Sequence, residues 1–598
     1  MTTCRIEFLP AGAQVRCPQG TLLNYAARDA GIALVSVCGG AGSCGRCKVI
    51  IERGAVSTPT PVEQQKLSAA EIASGYRLAC QTRAQNDLTV YIPPLSIPGE
   101  LQANLACEGP GEPVDPVVQD VLITLRPPRS LNHSSCWERF VTAVKNSSGI
   151  DVTKADLPAL RQVFSILDTC GATAQACIRA GELIDAGPPG QHPLGVAIDL
   201  GTTKIAAYLI DMLTGKLYRA VGMVNPQCSF GDDVMSRIAC SMEHGSAQLR
   251  QTIIDGLNQL IKELCQDPHK IIEMVIVGNT AMHHLVLELP VHQLGSAPYI
   301  PAIDIPLDFK ARDLGLDIAP GAYVHMAPNV AGFIGGDHVA MVLATGIYNT
   351  PKTVLGIDIG TNTEIVLACN GTLRSTSCAS GPAFEGGHIT CGIRAISGAI
   401  EKIKIQDGVV EFQTIRGMPP IGLCGSGILD AVAELTRCGI ITHQGRLVAG
   451  PAVLTRSNAA EFVLVPRGKS GTGKDITITQ QDILEVQLAK AAIRTGIEVL
   501  LVEANAGIEV VEEIILTGEF GTQINPASCI AIGMFPLFPK EQFRMVGNAA
   551  GLGAMRILIS KAQRTLAHEI AQRIQYLELM TYPGFHKQFA SALYIPKK

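Results

Sequence analysis

The sequence predicts a multidomain α/β chain, and three observations lead to it. Its 598 residues are more than one hydrophobic core fills. Its apolar runs are short, rich in Gly, Ala, Val and Ile, and broken by Gly or Glu, as buried parallel strands are. An apolar strand that ends in Asp, turns on Gly-Thr and leads into a second apolar strand occurs twice, from Gly195 and from Leu355. At 47% hydrophobic and 17% charged residues the composition is that of a folded globule. A formal charge of -5 gives no general attraction to nucleic acid or to an acidic membrane surface. No apolar run approaches the roughly 20 residues of a membrane span, so no membrane partner is expected. Met1-Thr-Thr-Cys4 lacks a basic stretch followed by an apolar core, so a cytoplasmic, reducing location is expected. There the 19 cysteines serve as ligands or free thiols.

Four cysteines stand apart. Cys38-Gly-Gly-Ala-Gly-Ser-Cys44-Gly-Arg-Cys47 reads as a loop, and Cys80 follows on a distant strand in Arg77-Leu-Ala-Cys80-Gln-Thr. Three thiolates in one loop can wrap one edge of an iron–sulfur cluster while the fourth closes the cage. Gly39, Gly40, Gly42 and Gly45 let the backbone adopt positive φ and turn N–H groups toward the sulfides. Around the loop, Ile6–Leu9 and Gln14–Cys17 read as a hairpin, Leu22–Ala30 as a helix, and Cys47–Ile51 and Leu88–Ile92 as later strands. This pattern predicts a β-grasp domain over 1–92 and resembles the plant- and adrenal-type [2Fe–2S] ferredoxins, with the five-residue first gap of the adrenal branch. A zinc ribbon would pair two C-x₂-C knuckles, and only one is present. Cys4 and Cys17 are expected to face each other across the hairpin as thiols. Cys170 and Cys177 have no ligand-like partners nearby.

Residues 93–115 carry Pro93, Pro94, Pro98, Pro110 and Pro113 and read as a semi-extended linker that lets the cluster domain move. A small α+β middle domain follows over 116–190, with a strand near Val117–Leu125 and amphipathic stretches at Trp137–Val144 and Leu157–Ile166. The rest, 191–598, contains the repeat, with subdomains of about 191–350 and 351–598.

In the repeat, Asp199-Leu-Gly201-Thr202-Thr203-Lys204 matches Asp358-Ile-Gly360-Thr361-Asn362-Thr-Glu364. Hydroxyls and backbone N–H groups at such a turn can grip phosphate oxygens, and the strand-end Asp can reach Mg²⁺ through water. Gly201 and Gly360 allow the backbone to approach the phosphate. Two copies suggest two related subdomains facing across a nucleotide, and resemble the actin, Hsp70 and sugar-kinase superfamily. Further segments agree. Gly518-Glu519-Phe-Gly521 follows an apolar strand, where that superfamily places its adenosine loop. Gly547-Asn548-Ala-Ala-Gly551 opens a helix whose N-terminus is a ready anion or ribose site. Gly425-Ser426-Gly427 begins another, which resembles the superfamily's connecting helix. Gly468–Lys474 imitates a P-loop, but Asp475 stands where Ser or Thr is needed. It is expected to be an exposed loop before a helix at about 481–503. His283 and His284 are adjacent, so they point apart on a helix and are expected to be packing residues.

The whole chain resembles the reductive activators of corrinoid-dependent methyltransferases. Besides the cluster cysteines and hairpins, the marks are Asn225-Pro-Gln, Phe230-Gly-Asp-Asp-Val-Met-Ser-Arg237, Val277-Gly-Asn-Thr-Ala-Met282 and Ser380-Gly-Pro-Ala-Phe-Glu385. The resemblance implies an enzyme with an N-terminal ferredoxin domain and an actin/Hsp70-like ATPase fold. It would return a corrinoid protein from inactive Co(II) to Co(I), with electrons passed through the [2Fe–2S] cluster and ATP hydrolysis driving the step. Implied with it are an upstream low-potential electron donor, the cofactors ATP and Mg²⁺, and a homodimer through the C-terminal domain. Carried onto this sequence, Asp199 and Asp358 take Mg²⁺ and water, and Thr202, Thr203, Thr361 and Asn362 take phosphate. Gly518, Glu519, Gly547 and Asn548 take the nucleoside, and Glu364 or Glu385 activates the attacking water. Two other functions fit parts of the pattern. One is an electron donor of the 2-hydroxyacyl-CoA dehydratase type, whose [4Fe–4S] cluster would need ligands that Cys378, Cys391 and Cys424 are not spaced to provide. The other is a small-molecule kinase with a redox domain.

Overall fold

In Thr3–Leu9 the alternate residues Cys4, Ile6 and Phe8 are buried, and the strand pairs antiparallel with Ala13–Pro18 so that Cys4 faces Cys17. Their Sγ atoms lie 3.9 Å apart as thiols, as expected. Helix Leu23–Asp29 buries Leu23, Ala26 and Ala27, an i, i+3, i+4 stripe, against this sheet. The strand order is Ala13–Pro18, Thr3–Leu9, Leu88–Tyr91, Lys48–Arg53, Tyr76–Leu78. The first and last strands of the chain segment lie side by side and parallel, which makes it a β-grasp with its own core. This computed structural model describes residues 2–597 except 33, 35–39, 41, 43–44, 94–95, 97–108, 126–133, 170–172, 232, 451–452 and 457–458.

A second small unit has four strands in the order Val118–Thr124, Thr173–Arg179, Glu182–Gly187, Lys154–Ala155. Helices Cys136–Ser148 and Leu157–Thr169 close its core around Phe140 and Val163. Ion pairs fasten it to the sheet that follows: Arg179 to the buried Glu273 at 3.1 Å, Lys310 to Glu182 at 3.0 Å and Arg312 to Asp156 at 2.8 Å.

The repeat folds as two lobes of matching topology. In the first, Leu217–Val224, Lys204–Asp211 and Leu194–Leu200 form an antiparallel meander, continued in parallel by Ile271–Gly278 and Tyr323–Met326. In the second, Thr372–Cys378, Thr363–Cys369 and Val354–Ile359 form the meander, continued in parallel by Glu513–Thr517 and Phe543–Met545. Each lobe adds an edge strand, Leu307–Lys310 in the first and Ile574–Tyr576 in the second. The near-continuous burial of Ile271–Gly278 fits a parallel strand covered on both faces.

Each lobe has a core of its own, and a third core joins them. That third core is built on helices Gly336–Thr345 and Ala549–Ile559, each entered directly after its lobe's last parallel strand. The helices approach closely: a Cβ on Gly553 would come within 2.1 Å of the Ala340 carbonyl oxygen.

One expectation is corrected. The described end of the 93–115 stretch is packed. Asp115 N–H donates to the Ile559 carbonyl at 2.9 Å, Arg556 donates to the Pro110 carbonyl at 3.2 Å, and Val114 packs against the interlobe core. A proline lacks an N–H but keeps its carbonyl, so a proline-rich segment can still be held by an arginine donor. Residues 94–95 and 97–108 lie outside the described residues. The P-loop imitation is an exposed turn, as expected, and leads through Ile476–Thr479 into helix Gln480–Glu503, capped by a reciprocal Thr479–Asp482 box.

Candidate functional site

Both hairpins point into the cleft between the lobes, and each is braced from behind. On the first, Asn225 donates to the Gly201 carbonyl at 2.8 Å and its N–H to the Thr203 carbonyl at 2.9 Å. The buried guanidinium of Arg237 donates to the Thr202 carbonyl. A trans peptide points its C=O and N–H in opposite directions, so tying these carbonyls aims the N–H groups of Thr202 and Thr203 the other way. Asn279, the N-cap of helix Thr280–Val286, donates to the Thr202 hydroxyl at 2.8 Å. On the second hairpin Ser380 does this work, its hydroxyl lying 3.2 Å from both the Gly360 and the Thr361 carbonyls and sharing its one proton between them. Motifs far apart in sequence thus converge on the two turns.

The turns meet. Thr203 and Thr361 hydroxyls lie 3.3 Å apart, and Glu385 accepts from both, at 3.1 and 2.6 Å. Lys204 opens the strand beyond the first turn and Asn362 stands half-buried at the second.

Beneath the turns lie four carboxyl groups. Burial pushes Asp358 up to about 6. Burial and the charge of Asp358 push Asp199 up to about 7, against a 2.7 Å hydrogen bond from Asn548. Burial, then the charge of Asp199, pushes Asp337 up to about 8. Burial and the charges of Asp337 and Asp358 hold Glu364 well above the carboxylate range. Glu364 is the cross-strand partner of Asp358 and accepts from Ser377 at 3.2 Å. Among the described residues no three His, Cys, Asp or Glu side chains are arranged to hold a metal ion directly. A carboxyl cluster of this kind suits a hydrated divalent cation, held through its water shell.

Asp337 escaped the sequence reading. It follows Gly335-Gly336 as the second residue of its helix, whereas Asn548 holds the cap position of the equivalent helix in the other lobe. Its signal is an Asp in the first turn of the helix that follows the last parallel strand of the lobe, visible once the two lobes are matched.

The remaining candidates divide. Gly518, at φ +83°, starts the turn after strand Glu513–Thr517, and a Cβ there would lie 2.5 Å from Asp358 Oδ1. Phe520 in the same turn stacks on Phe384 at 5.6 Å. Gly425 lies against the Phe520 ring and the Phe384 backbone, where a Cβ would meet the Phe384 carbonyl oxygen at 1.9 Å. Glu519 and Gly521 belong to that turn, and Gly547 precedes the Asn548 cap. Ser426 and Gly427 are buried in the first turn of helix Gly425–Arg437, and Gly551 is packed on the Tyr208 ring. His283 and His284 are buried in a short helix, where burial lowers both and His284 is tied to the Thr280 carbonyl at 2.7 Å.

In the N-terminal domain, Cys47 and Cys80 are buried with their Sγ atoms 3.3 Å apart. Gly40, Gly42 and Gly45 have φ of +97°, +79° and +66°, the conformation expected of the loop. Gln81 donates to the Gly40 carbonyl at 3.0 Å, tying the loop to the Cys80 segment. Two converging thiols beside a positive-φ loop fit an iron–sulfur cluster. Cys38 and Cys44 lie outside the described residues.

Comparison with known proteins decides the family. Residues 6–85 match a 2Fe-2S iron-sulfur cluster binding domain, 194–350 the RACo middle region and 352–598 the C-terminal ASKHA domain of RACo. The chain is 31% identical over 610 residues to the corrinoid activation enzyme RamQ of Eubacterium limosum, spanning 97% of each chain. This chain belongs to the RACo family of corrinoid activation enzymes. A solved RACo-type structure, a reductive activator for corrinoid,iron-sulfur protein, is 33% identical, covers 99% of this chain and superposes with a TM-score of 0.74. A Methanosarcina barkeri [Co(II) methylated amine-specific corrinoid protein] reductase is 24% identical over 64% of this chain. The family assignment makes the chain an enzyme with a [2Fe–2S] domain and an ATP-binding ASKHA fold. The RACo middle region is here the lobe that carries Asp199. No helix among the described residues is long and apolar enough to cross a membrane.

The raised carboxyl groups set a pH dependence. Asp199 and Asp358 have folded values above the unfolded value of about 3.9. Their contribution to the stability of the nucleotide-free protein is therefore fully present below about pH 4 and is lost as pH rises through 6 to 7. Cation binding needs the ionised forms, so magnesium–nucleotide affinity should rise over the same window. Titration calorimetry at pH 5.5, 6.5 and 7.5 reads this, and because Asp337, pushed up to about 8, is still protonated over that window, Asp337→Asn should leave the midpoint nearly unchanged.

Proposed function

We propose that this chain is an ATP-dependent reductive activator that returns a corrinoid protein from Co(II) to Co(I). The observation that carries the proposal is the meeting of Thr203 and Thr361 across a carboxyl-lined cleft, in a chain that also pairs Cys47 with Cys80. The printed names of the relatives, corrinoid activation enzyme and corrinoid protein reductase, supply the substrate class. Every 59 mV by which the acceptor lies below the donor opposes a one-electron transfer tenfold, which is why an ATP-driven change of state is needed.

The [2Fe–2S] cluster, when bound, supplies one-electron transfer, with Cys38, Cys44, Cys47 and Cys80 as its ligands. The hairpins grip the polyphosphate through Thr202, Thr203, Thr361, Asn362 and their backbone N–H groups. Asp199 and Asp358 orient the water shell of Mg²⁺. Gly518, Glu519, Gly547 and Asn548 line the nucleoside. Glu364 keeps its proton in the nucleotide-free protein and is poorly suited to take another. Glu385 touches the phosphate-gripping hydroxyls and is the better candidate to orient the attacking water. A low-potential donor supplies the electrons, the enzyme works in the cytoplasm, and it pairs into a homodimer through the C-terminal domain.

The test is anaerobic: enzyme, reductant and a Co(II) corrinoid protein, with and without ATP. ATP-dependent appearance of the Co(I) absorption supports the proposal. Its absence with every corrinoid partner from the same genome sinks it, and phosphorylation of a small metabolite would favour a kinase.

A further inference from the structure

Arg46 sits between Gly45 and the ligand Cys47, yet its guanidinium reaches out of the cluster domain. It donates to the carbonyls of Gly386, at 3.4 Å, and of Ile389 in the second lobe. From helix Leu23–Asp29 of the same domain, Arg28 lies 5.0 Å over the ring of Phe230 in the first lobe. The cluster domain therefore rests on both lobes, and its loop touches the segment that begins directly after Glu385.

Glu385 stands where a phosphate oxygen is wanted. Each threonine hydroxyl has one proton to give, and Thr203 and Thr361 both give it to Glu385. Phosphate oxygens are acceptors only, so a nucleoside triphosphate needs these same two protons and also repels the carboxylate. The turn Pro382–Glu385 is flanked by Gly381 and Gly386 at φ +72° and +80°. Phe384 is pinned by its stack on Phe520. Movement of the Glu385 carboxylate is then taken up on the Gly386 side, where Arg46 is bound.

We infer that Arg46 couples the cluster domain to the phosphate site. Without nucleotide, Glu385 occupies the threonine hydroxyls and Arg46 holds the cluster domain down on the Gly386 and Ile389 carbonyls. A nucleoside triphosphate displaces Glu385, shifts those carbonyls and frees the cluster domain. This rests on the reading of the hairpins as phosphate-binding and adds to it the route by which occupancy reaches the cluster. Because linkage is reciprocal, weakening the docking must strengthen nucleotide binding.

The test uses the full-length cluster-loaded protein, a non-hydrolysable ATP analogue with Mg²⁺, and Arg46→Ala. Calorimetry should show the variant binding the analogue about fivefold or more tightly, with an unchanged cluster spectrum and partial reversion in Arg46→Lys. In the wild type the analogue should raise amide hydrogen exchange at 386–392. In Arg46→Ala that exchange should be high from the start. Should Arg46→Ala fail to load its cluster, Arg28→Ala loosens the same docked state from the first lobe and must shift affinity in the same direction. Equal affinities, or exchange indifferent to the analogue, overturn the coupling alone. Failure of the wild type to bind the analogue overturns the phosphate reading and the coupling with it.

Discussion

Cys80→Ala is expected to bleach the visible absorption of the cluster and abolish corrinoid reduction while nucleotide binding survives. Cys80 is buried beside Cys47, and no other described cysteine stands as close to that thiol. Loss of one of four thiolates opens the cage, and with a ligand missing the metal site and the folding of its loop weaken together. Nucleotide binding is spared because the cluster domain has a core of its own, separate from the lobes and from the core that joins them. The affinity for a non-hydrolysable analogue should stay within a few-fold of the wild type, and any change should be toward tighter binding if docking is loosened. A full cluster spectrum in Cys80→Ala would overturn the ligand assignment.

Asp358→Ala should give the reverse picture: an intact cluster and a loss of ATP hydrolysis and ATP-driven reduction of about a hundred- to a thousandfold. Asp358 ends the central strand of its lobe, faces Glu364 across the sheet and lies against the Gly518 turn. In the nucleotide-free state, losing a buried carboxyl of raised pKa relieves repulsion toward Asp337 and Glu364, so the variant should be no less stable above pH 7. A fall in activity without a fall in thermal stability separates the catalytic role from a structural one. Undiminished hydrolysis would show that the hairpin does not serve the phosphates.

The interlobe geometry also explains motifs that carried no chemistry of their own in the sequence. Asn225, Arg237 and Asn279 lie in three separate segments, and each ends on the first hairpin. Ser380 does the same for the second. They are positioning residues, and a substitution such as Ser380→Ala removes the one proton that two hairpin carbonyls share.

The sequence alone determined the β-grasp domain, the duplicated lobes and the two Asp-x-Gly-Thr hairpins, because each is written in local pattern. Alternation, glycine at tight turns and cysteine spacing act over a few residues, and a repeat shows itself by comparison with its own copy. The helix starts at Gly425, Gln480 and Ala549 were legible for the same reason. Only the tertiary structure decided what those pieces do to one another. It brought Asp337 from an unremarked helix start into the carboxyl cluster and placed Glu385 on the hydroxyls of both hairpins. It packed residues 109–115 against the interlobe helices and set Arg46 on a loop more than three hundred residues away. Contacts of this kind depend on which surfaces two folded lobes present across a cleft, and no local periodicity encodes the distance between them.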